Sequence, residues 1–467
     1  MSRLLLINPS NDLVNMARTS RSRWSRRYRL WQPLGLMVLA GSTPDDWQTT
    51  IVDENLGDPD YDSLSRPDVV GITAFTSQAS RAYDIAAYFR GLGVPVVMGG
   101  IHATMCRDEA AEHVDALVIG EAEAIWPEVL NDAARGSLKR VYEGGFADPS
   151  RLRAARHDLL PARYALGAIQ TTRGCPLGCN FCSVTAFNGA RYRQRPIADI
   201  VSEFRSIPEK RVFVVDDNLI GTSAAQLERA KDLFRALAEA KLGKRWFAQT
   251  TVNFADDEEL MDLAARAGCA GVFIGFESPT REGLKEIGKR FNLAKARDFA
   301  SCVRRIRRQN IMVVGSFMIG LDVDRKGIGR HVADTASDYG VDNLNVSFLT
   351  PLPGTRLWSE MRDEGRIPLN RFPEDWKYYT LTFPAARYEG LSLDDVIEEM
   401  TGCNRRFYSW PRIVGRLARS LPYGQTPIIN LVSNLTSRRN SQLLARAYAE
   451  FKRFQGERFL RVRPASR

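Results

Sequence analysis

The sequence predicts an α/β chain with three parts: a doubly wound, Rossmann-like N-terminal domain, a central partial (βα)6 barrel of TIM type, and a mostly helical C-terminal domain. Three observations predict it. Short β-branched runs alternate with helical patterns over the first two-thirds of the chain, as in parallel sheets covered by helices. The 467 residues, 44% hydrophobic and 26% charged, suit a globular chain with two or three cores. Three of the seven cysteines fall in the run Cys175-Pro176-Leu177-Gly178-Cys179-Asn180-Phe181-Cys182, just after the first predicted barrel strand. Expected boundaries are 1–142 for the first domain, 143–165 for a linker, 166–365 for the barrel and 366–467 for the C-terminal domain.

In the first domain the expected strands are Leu4–Ile7, Thr50–Val52, Val69–Ile72, Val94–Met98 and Ala116–Ile119. Ser77–Leu92 reads as a helix with Ala82, Ile85, Ala86 and Phe89 on one face. Doubly wound sheets bind ligands at the carboxyl ends of their strands. Those ends read Thr73-Ala74-Phe75-Thr76-Ser77, Gly99-Gly100-Ile101-His102-Ala103-Thr104 and Gly120-Glu121-Ala122-Glu123. Small residues there admit a ligand close to the backbone, and hydroxyls supply hydrogen bonds. Glycines after strands are also ordinary turn residues. The linker follows with Gly144-Gly145, Pro149, Arg151, Arg153, Arg156 and Pro161, and little periodicity.

Six strands are expected in the barrel: Ala168–Thr172, Arg211–Val215, Trp246–Thr251, Gly271–Phe276, Met312–Met318 and Asn343–Phe348. Ser223 with Gln226 opens one intervening helix as a capping box, and Asp256 with Glu259 opens another that stops at Gly268. Barrels place chemistry at the carboxyl ends of their strands, and the three-cysteine loop lies at such an end. Asp216 and Asp217 end the second strand, Gln249 sits in the third, Glu277 and Ser278 end the fourth, and Gly315, Met318 and Gly320 belong to the fifth. Helix capping is the competing role for Asp217 and Glu277, since both precede helices. Cys269, Cys302 and Cys403 lie among apolar residues and read as core. Beyond Arg366, Trp376, Tyr378, Tyr379, Phe383 and Tyr388 cluster ahead of a helix expected from Ser392 to Phe407. They suit either a substrate pocket or core packing.

Three thiolates so close in a loop carrying Gly174, Pro176 and Gly178 can converge on one metal centre. A structural zinc site wants four closed ligands, and no second cysteine pair exists. An iron–sulfur cubane normally takes four thiolates, so three leave one iron open for a substrate. The spacing CxxxCxΦC, with Phe181 as the aromatic residue, resembles the signature of the radical S-adenosylmethionine superfamily. The resemblance implies a 4Fe–4S cluster on Cys175, Cys179 and Cys182, and S-adenosylmethionine contacts from Phe181, Asp216, Asp217, Gln249, Glu277, Ser278, Gly315, Met318 and Gly320. Leu349-Thr350-Pro351-Leu352-Pro353-Gly354-Thr355 is similar to that family's exit from its sixth strand. The segments GGIHAT and GEAE resemble those of the cobalamin-binding domains that precede many such enzymes. That implies cobalamin contacts from Thr73, Ser77, Gly99, Gly100, His102, Gly120 and Glu121. One departure is plain: where the DxHxxG motif of histidine-ligating domains would stand, the chain reads Asn8-Pro9-Ser10-Asn11-Asp12-Leu13.

The chain carries a net charge of +10, concentrated in two places. Residues 405–467 hold 14 Lys/Arg against Glu450 and Glu457 alone, and Arg18, Arg21, Arg23, Arg26, Arg27 and Arg29 form a second basic stretch. Such stretches suit anionic lipid headgroups or acidic substrates as well as a solvated face. No nucleic-acid-binding motif accompanies them. The N-terminal apolar run is too short for a signal peptide, and no run approaches the roughly 20 residues of a membrane span. An odd, scattered set of cysteines suits a reducing compartment, so a cytoplasmic enzyme, with a peripheral membrane contact through its basic tail, is expected.

Taken with the resemblance, the expected activity is cobalamin-dependent radical C-methylation of an unactivated carbon on an apolar substrate such as a lipid, tetrapyrrole or secondary metabolite. A flavodoxin or ferredoxin would be the reductant. Cyclisation, rearrangement or oxidation by a related radical enzyme is the alternative, and a turnover-free iron–sulfur or cobalamin sensor is the alternative of another class. Methylthiotransfer needs a second cluster, but only Cys106 precedes Cys175.

Overall fold

The computed structural model describes residues 1–11, 13, 32–161, 164–293, 298–423 and 426–460. The basic stretch Arg18–Arg29 and the last seven residues lie outside these. The chain forms two compact units, the first comprising 1–178, 182–250 and 262–270, the second 179–181, 251–261 and 271–467.

The first unit opens with strands β1 (Ser2–Asn8), β2 (Trp47–Asp53), β3 (Val69–Thr73), β4 (Val96–Gly99), β5 (Ala116–Gly120) and β6 (Val141–Gly145). Their order is β2-β1-β3-β4-β5-β6, and every pair is parallel. Helices α1 (Leu34–Gly41), α2 (Ala79–Gly91), α3 (Gly100–Met105), α4 (Arg107–His113) and α5 (Trp126–Ala134) intervene. The order reverses between β1 and β3, so the loops after those strands flank the crevice where open α/β sheets take ligands. Leu4, Leu6, Val69, Val97 and Val118 pack with Trp126, whose indole donates to Thr43 Oγ1 at 3.0 Å. Each such buried side chain contributes roughly 1.5–3 kcal/mol. Gly71 makes room for the layer, because a Cβ there would come 2.7 Å from Leu6 Cδ2.

The five strands expected from periodicity are present, and β6 is a sixth. Residues 143–145, expected to open the linker, are the end of β6. Its sequence, Val-Tyr-Glu-Gly-Gly, carries little apolar signal, yet β6 is parallel to β5 across Leu117↔Val141.

The same unit holds β7 (Gly167–Ile169), the two-residue strands β8 (Thr172–Arg173) and β9 (Arg193–Gln194), β10 (Arg211–Val214) and β11 (Arg245–Thr250). Strands β7, β10 and β11 run parallel in that order, while β8 and β9 form a separate antiparallel ribbon. Thr172, expected at the end of the first barrel strand, therefore belongs to the ribbon. Helices α6 (Ser183–Asn188), α7 (Ile197–Ser206) and α8 (Ala224–Glu239) connect them, and Ser223 caps α8 with Gln226 as expected. Helix α9 (Glu258–Arg266) runs from the second unit into the first. Asp257, not Asp256, caps it, accepting from Leu260 N at 2.9 Å.

The second unit carries β12 (Cys269–Glu277, entering from the first), β13 (Met312–Ile319) and β14 (Asn343–Phe348), parallel in that order. Around them lie α10 (Arg281–Glu286), α11 (Arg290–Leu293), α12 (Phe299–Arg308), α13 (Ile328–Tyr339), α14 (Arg356–Asp363), α15 (Leu393–Phe407), α16 (Trp410–Ser420) and α17 (Thr426–Gln455). Ser392 and Asp395 form a capping box on α15. Cys269, Cys302, Cys403 and the aromatic cluster Trp376, Tyr378, Tyr379, Phe383 and Tyr388 are all buried.

Candidate active site

The three cysteines lie in the loop between β8 and α6, each half-buried. Gly174 and Gly178 take φ of +86° and +63°, which lets the loop turn back on itself without side-chain strain. Gly174 has a second reason to be glycine, since a Cβ would meet the carbonyls of Arg191 and Gly189. Asp217 Oδ2 accepts from Gly174 N at 3.2 Å and Asn188 Nδ2 at 3.0 Å, and Cys175 N donates to Gly189 O at 3.2 Å. Asp217 thus ties the start of the loop to the far end of α6, rather than capping α8. Burial pushes its carboxyl up, against the hydrogen bonds from Asn188 and Gly174. In the second unit Asn180, between Cys179 and Phe181, donates from Nδ2 to Glu286 O at 3.1 Å and accepts from Leu357 N at 3.1 Å. Among the described residues no three His, Cys, Asp or Glu side chains already form a metal cage.

Asp216 sits elsewhere than expected. Its carboxylate is fully buried and accepts from Thr171 N at 2.6 Å, Thr172 Oγ1 at 2.9 Å and Thr171 Oγ1. Burial pushes its pKa up to about 6, with those donors pulling the other way. The oxygens that were to meet S-adenosylmethionine hold the chain segment before the cysteine loop instead. Gln249 is half-buried on β11.

Glu277 ends β12 at φ +70°, a conformation uncommon outside glycine, where the β12–β13 register shifts. The shift folds its carboxylate back over Gly275, where a Cβ would collide with Oε1, and onto Lys289 Nζ at 2.8 Å. Thr280, not Glu277, caps α10. Ser278 is buried, takes Thr280 N at 3.2 Å, and lines a cavity of about 420 Å³ with Asn292, Phe299 and Tyr339.

On β13, Gly315 and Met318 are three apart and so face opposite sides of the sheet. Gly315 lies with Val313 and Phe317 on the helix-covered side, where a Cβ would come 2.9 Å from Val341 Cγ1 and 3.3 Å from the Phe276 ring. The expected pairing of Gly315 with Met318 against one ligand is corrected accordingly: Gly315 serves packing. Ser316 shares Met318's face and accepts from Asn345 Nδ2 at 3.2 Å, a polar pair that the sequence pattern did not single out. Gly320 follows the strand at φ +102°, donates to Asp324 Oδ2 at 2.9 Å, and has no room for a Cβ beside the Tyr388 ring.

At the carboxyl edge of the N-terminal sheet, Thr73, Ser77, Gly99, Gly100 and Gly120 are all half-buried. Gly100 at φ +88° leaves no room for a Cβ, which would lie 2.5 Å from Thr73 Oγ1. Thr104 ties two of the loops together, donating to Gly100 O at 2.9 Å and accepting from Gly120 N at 3.0 Å. Asn11 Nδ2 spans the switch point to Ser77 O at 2.7 Å. Two rings stand open here after strand ends, Phe75 at 68% exposed and Phe146 at 62%. Phe146 was not foreseen, because β6 was not.

Two expected cobalamin contacts are corrected. His102 is fully buried; its Nε2 meets Tyr83 OH at 2.8 Å and Glu109 Oε1 at 3.5 Å, so it has no surface for a ligand. Glu121 is likewise buried, and accepts from Arg173 Nη1 at 2.8 Å, Arg193 Nη1 at 2.9 Å, Arg193 Nη2 and Ala147 N at 2.9 Å. Burial alone would raise its pKa; the hydrogen bonds and charges of the two arginines outweigh that and hold it below the usual range. Arg173 also reaches Glu123 at 2.5 Å. These ions clamp the GEAE loop to both strands of the β8–β9 ribbon that brackets the cysteine loop.

The Radical SAM superfamily profile matches residues 169–335 and the B12 binding domain profile residues 25–130. Bacteriochlorophyllide d C-12(1)-methyltransferase of Chlorobaculum tepidum is 30% identical over 420 residues, 87% of this chain and 89% of that protein. The chain belongs to the B12-binding radical SAM enzymes. A second relative from the same organism, bacteriochlorophyllide d C-8(2)-methyltransferase, is 28% identical over 89% of this chain and 93% of its own. Among solved structures, the radical S-adenosylmethionine methyltransferase TsrM of Kitasatospora setae, with cobalamin and a [4Fe-4S] cluster bound, shares the fold at a TM-score of 0.62 and 20% identity, over 78% of each chain.

As a member of the family the chain is a radical SAM enzyme that uses a 4Fe–4S cluster, S-adenosylmethionine and cobalamin. The residues present fit these groups. Three thiols in a glycine-turned loop are the donor set of a cubane with one open iron. A low rim of half-buried glycines with two exposed phenyl rings suits a broad, largely apolar macrocycle.

Proposed function

We propose that the protein is a radical C-methyltransferase acting on a tetrapyrrole-type or similarly apolar ring scaffold. The observation that carries the reading is the alignment with a bacteriochlorophyllide methyltransferase across both cofactor domains and the C-terminal region together. Cys175, Cys179 and Cys182 would hold the cluster, with Met318, Gly320 and the Ser316–Asn345 pair facing S-adenosylmethionine. Thr73, Ser77, Gly100, Phe75 and Phe146 would meet cobalamin. When bound, these groups supply a hydrogen-abstracting radical and a transferable methyl group.

The chain's own work is positioning. Asp217 holds the start of the cysteine loop through Gly174 N, and Asp216 holds the segment before it through Thr171 and Thr172. Glu121, Arg173 and Arg193 keep the loop's base in register with the N-terminal domain. Glu277 and Lys289 present a closed ion pair at the end of β12. Holding reactants in fixed geometry is where proteins contribute most to such chemistry. A small reducing protein such as a flavodoxin or ferredoxin would deliver the electron.

Anaerobic reconstitution with iron and sulfide, then a strong reductant and S-adenosylmethionine, is expected to give about four irons per chain and 5′-deoxyadenosine, both lost in Cys179→Ala. With a bacteriochlorophyllide as substrate, methylated product and S-adenosylhomocysteine should form together. Deoxyadenosine without S-adenosylhomocysteine, over a panel of tetrapyrroles and lipids, would replace methylation by a rearrangement or oxidation.

A further inference from the structure

Helix α16 and the first half of α17 bury a polar seam, beside Ile413 on α16 and ahead of Tyr448 and Phe451 on α17. The residues they bury include Arg416, Ser420, Asn430 and Asn434, each at most 2% exposed. Asn434 Oδ1 accepts from Arg416 Nε at 3.0 Å and Nη2 at 2.7 Å, and Asn430 and Asn434 donate to Asp342 Oδ1 and O at 3.0 Å. The guanidinium of Arg416 lies 4.0 Å over the Phe407 ring. With this polar seam inside, the apolar side chains turn outward. On α16 and just after it Trp410, Val414 and Leu421, and on α17 Ile428, Leu431, Val432 and Leu435, are 37–70% exposed.

On α16 and just after it these residues stand four and seven apart, and on α17 they recur as i, i+3, i+4 and i+7, so each set makes one face. The two faces adjoin: Arg438, one turn beyond Leu435, lies 5.2 Å over the Trp410 ring. An apolar face of this kind normally marks an interaction site. The charges around it say which. No Asp or Glu occurs between Ser409 and Ala449, while Arg419 and Arg439 are exposed on the same two helices. A second copy across a two-fold axis would bring this basic stretch against itself, with no carboxylate in the stretch to offset its charge. On the flank Asp334 of α13 is already paired with Arg406 and Arg412, and an apolar stripe bearing a tryptophan, in a stretch whose charged residues are all arginines, suits the headgroup boundary of an anionic bilayer. No described helix is long and apolar enough to cross one.

We propose that the outward face of α16–α17 docks on an anionic lipid surface, with Val414, Ile428, Leu431 and Val432 at the acyl boundary and Arg419 and Arg439 among the phosphates. The surface is independent of the proposed methyl transfer. Cosedimentation of the full, cluster-loaded chain with phosphatidylcholine vesicles containing about a quarter phosphatidylglycerol is expected to show binding. Pure phosphatidylcholine vesicles should bind far more weakly. Val414→Ser with Val432→Ser should lower the anionic partition about tenfold or more without shifting thermal unfolding, because both side chains are exposed. Absence of anionic binding, or binding that the double variant leaves intact, would overturn the proposal. So would a dimer in light scattering that the same variant converts to monomer.

Discussion

Glu121 carries the buried Arg173 and the half-buried Arg193, so the join between the GEAE loop and the β8–β9 ribbon depends on it. Removing one partner of a buried ion pair strands the other charge and costs about 3–5 kcal/mol. Glu121→Gln is expected to destabilise by about that much, measured by denaturant unfolding, and to lower iron incorporation on reconstitution. Cobalamin retention per folded molecule should change little, because the carboxylate is turned to Arg173 and Arg193. A selective loss of cobalamin would restore the direct contact. The pH sense follows from the depressed pKa: the stabilisation is present above the ordinary glutamate value of 4.5 and is lost as pH falls through the lower folded value. GEAE was legible as a strand-end motif; its partners were not. Arg173 and Arg193 stand 52 and 72 positions away in sequence, and no periodicity connects them. Asp216 and His102 misled for the same reason, since a polar residue after a strand looks alike from the sequence whether it faces a ligand or the core.

Among the elements, β13 separates packing from binding. Gly315→Val should overpack against Val341 and Phe276 and cost about 1–3 kcal/mol, with S-adenosylmethionine affinity unchanged in the folded fraction. Met318→Ala should do the reverse, weakening binding with a smaller loss of stability. Equal losses of affinity in both variants, by calorimetry, would put the ligand elsewhere. The turn after β13 has its own titration. Burial pushes Asp324 up to about 7, opposed by the Leu321 and Gly320 N–H groups it holds. Between the ordinary value of 3.8 and about 7 the unfolded chain binds fewer protons there than the folded one, so this group's contribution to stability falls as pH rises. Asp324→Asn should flatten that part of the unfolding-versus-pH curve. Strands with β-branched runs and helices with capping boxes were readable because local sequence determines them. The ribbon β8–β9 has two residues per strand, and β6 has two glycines among five, so neither offers a pattern. Helix α16 and the first half of α17 bury polar residues and expose apolar ones, and an apolar period alone cannot say which side is inward.

At the scale of the molecule, the distinctive question is how a cobalamin domain without the usual histidine motif meets the lower face of its cofactor. The chain has four histidines. His102 is sealed beneath Tyr83, His113 stacks on the same ring at 3.8 Å, and His157 is buried against Glu203 at 3.2 Å. His331 is on α13 of the other unit. Among its described residues the loop after β1 offers Pro9, Ser10 and Asn11, and Asn11 already donates to Ser77 O. Across the switch point stands Phe75, an apolar ring with no lone pair to donate. The N-terminal domain is therefore expected to hold cobalamin without a nitrogen ligand from the protein. In the cob(II)alamin state, any nitrogen superhyperfine splitting in electron paramagnetic resonance should come from the cofactor's own dimethylbenzimidazole and not from the protein, so His102→Ala should leave the spectrum unchanged while lowering thermal stability. Phe75→His offers the positive control, since a ring nitrogen placed at that strand end would give splitting that changes from triplet to doublet when the protein is labelled with 15N. Splitting in the wild-type spectrum, abolished by His102→Ala, would mean that α3 rearranges around the cofactor and that the buried Tyr83–His102–Glu109 chain is opened on binding.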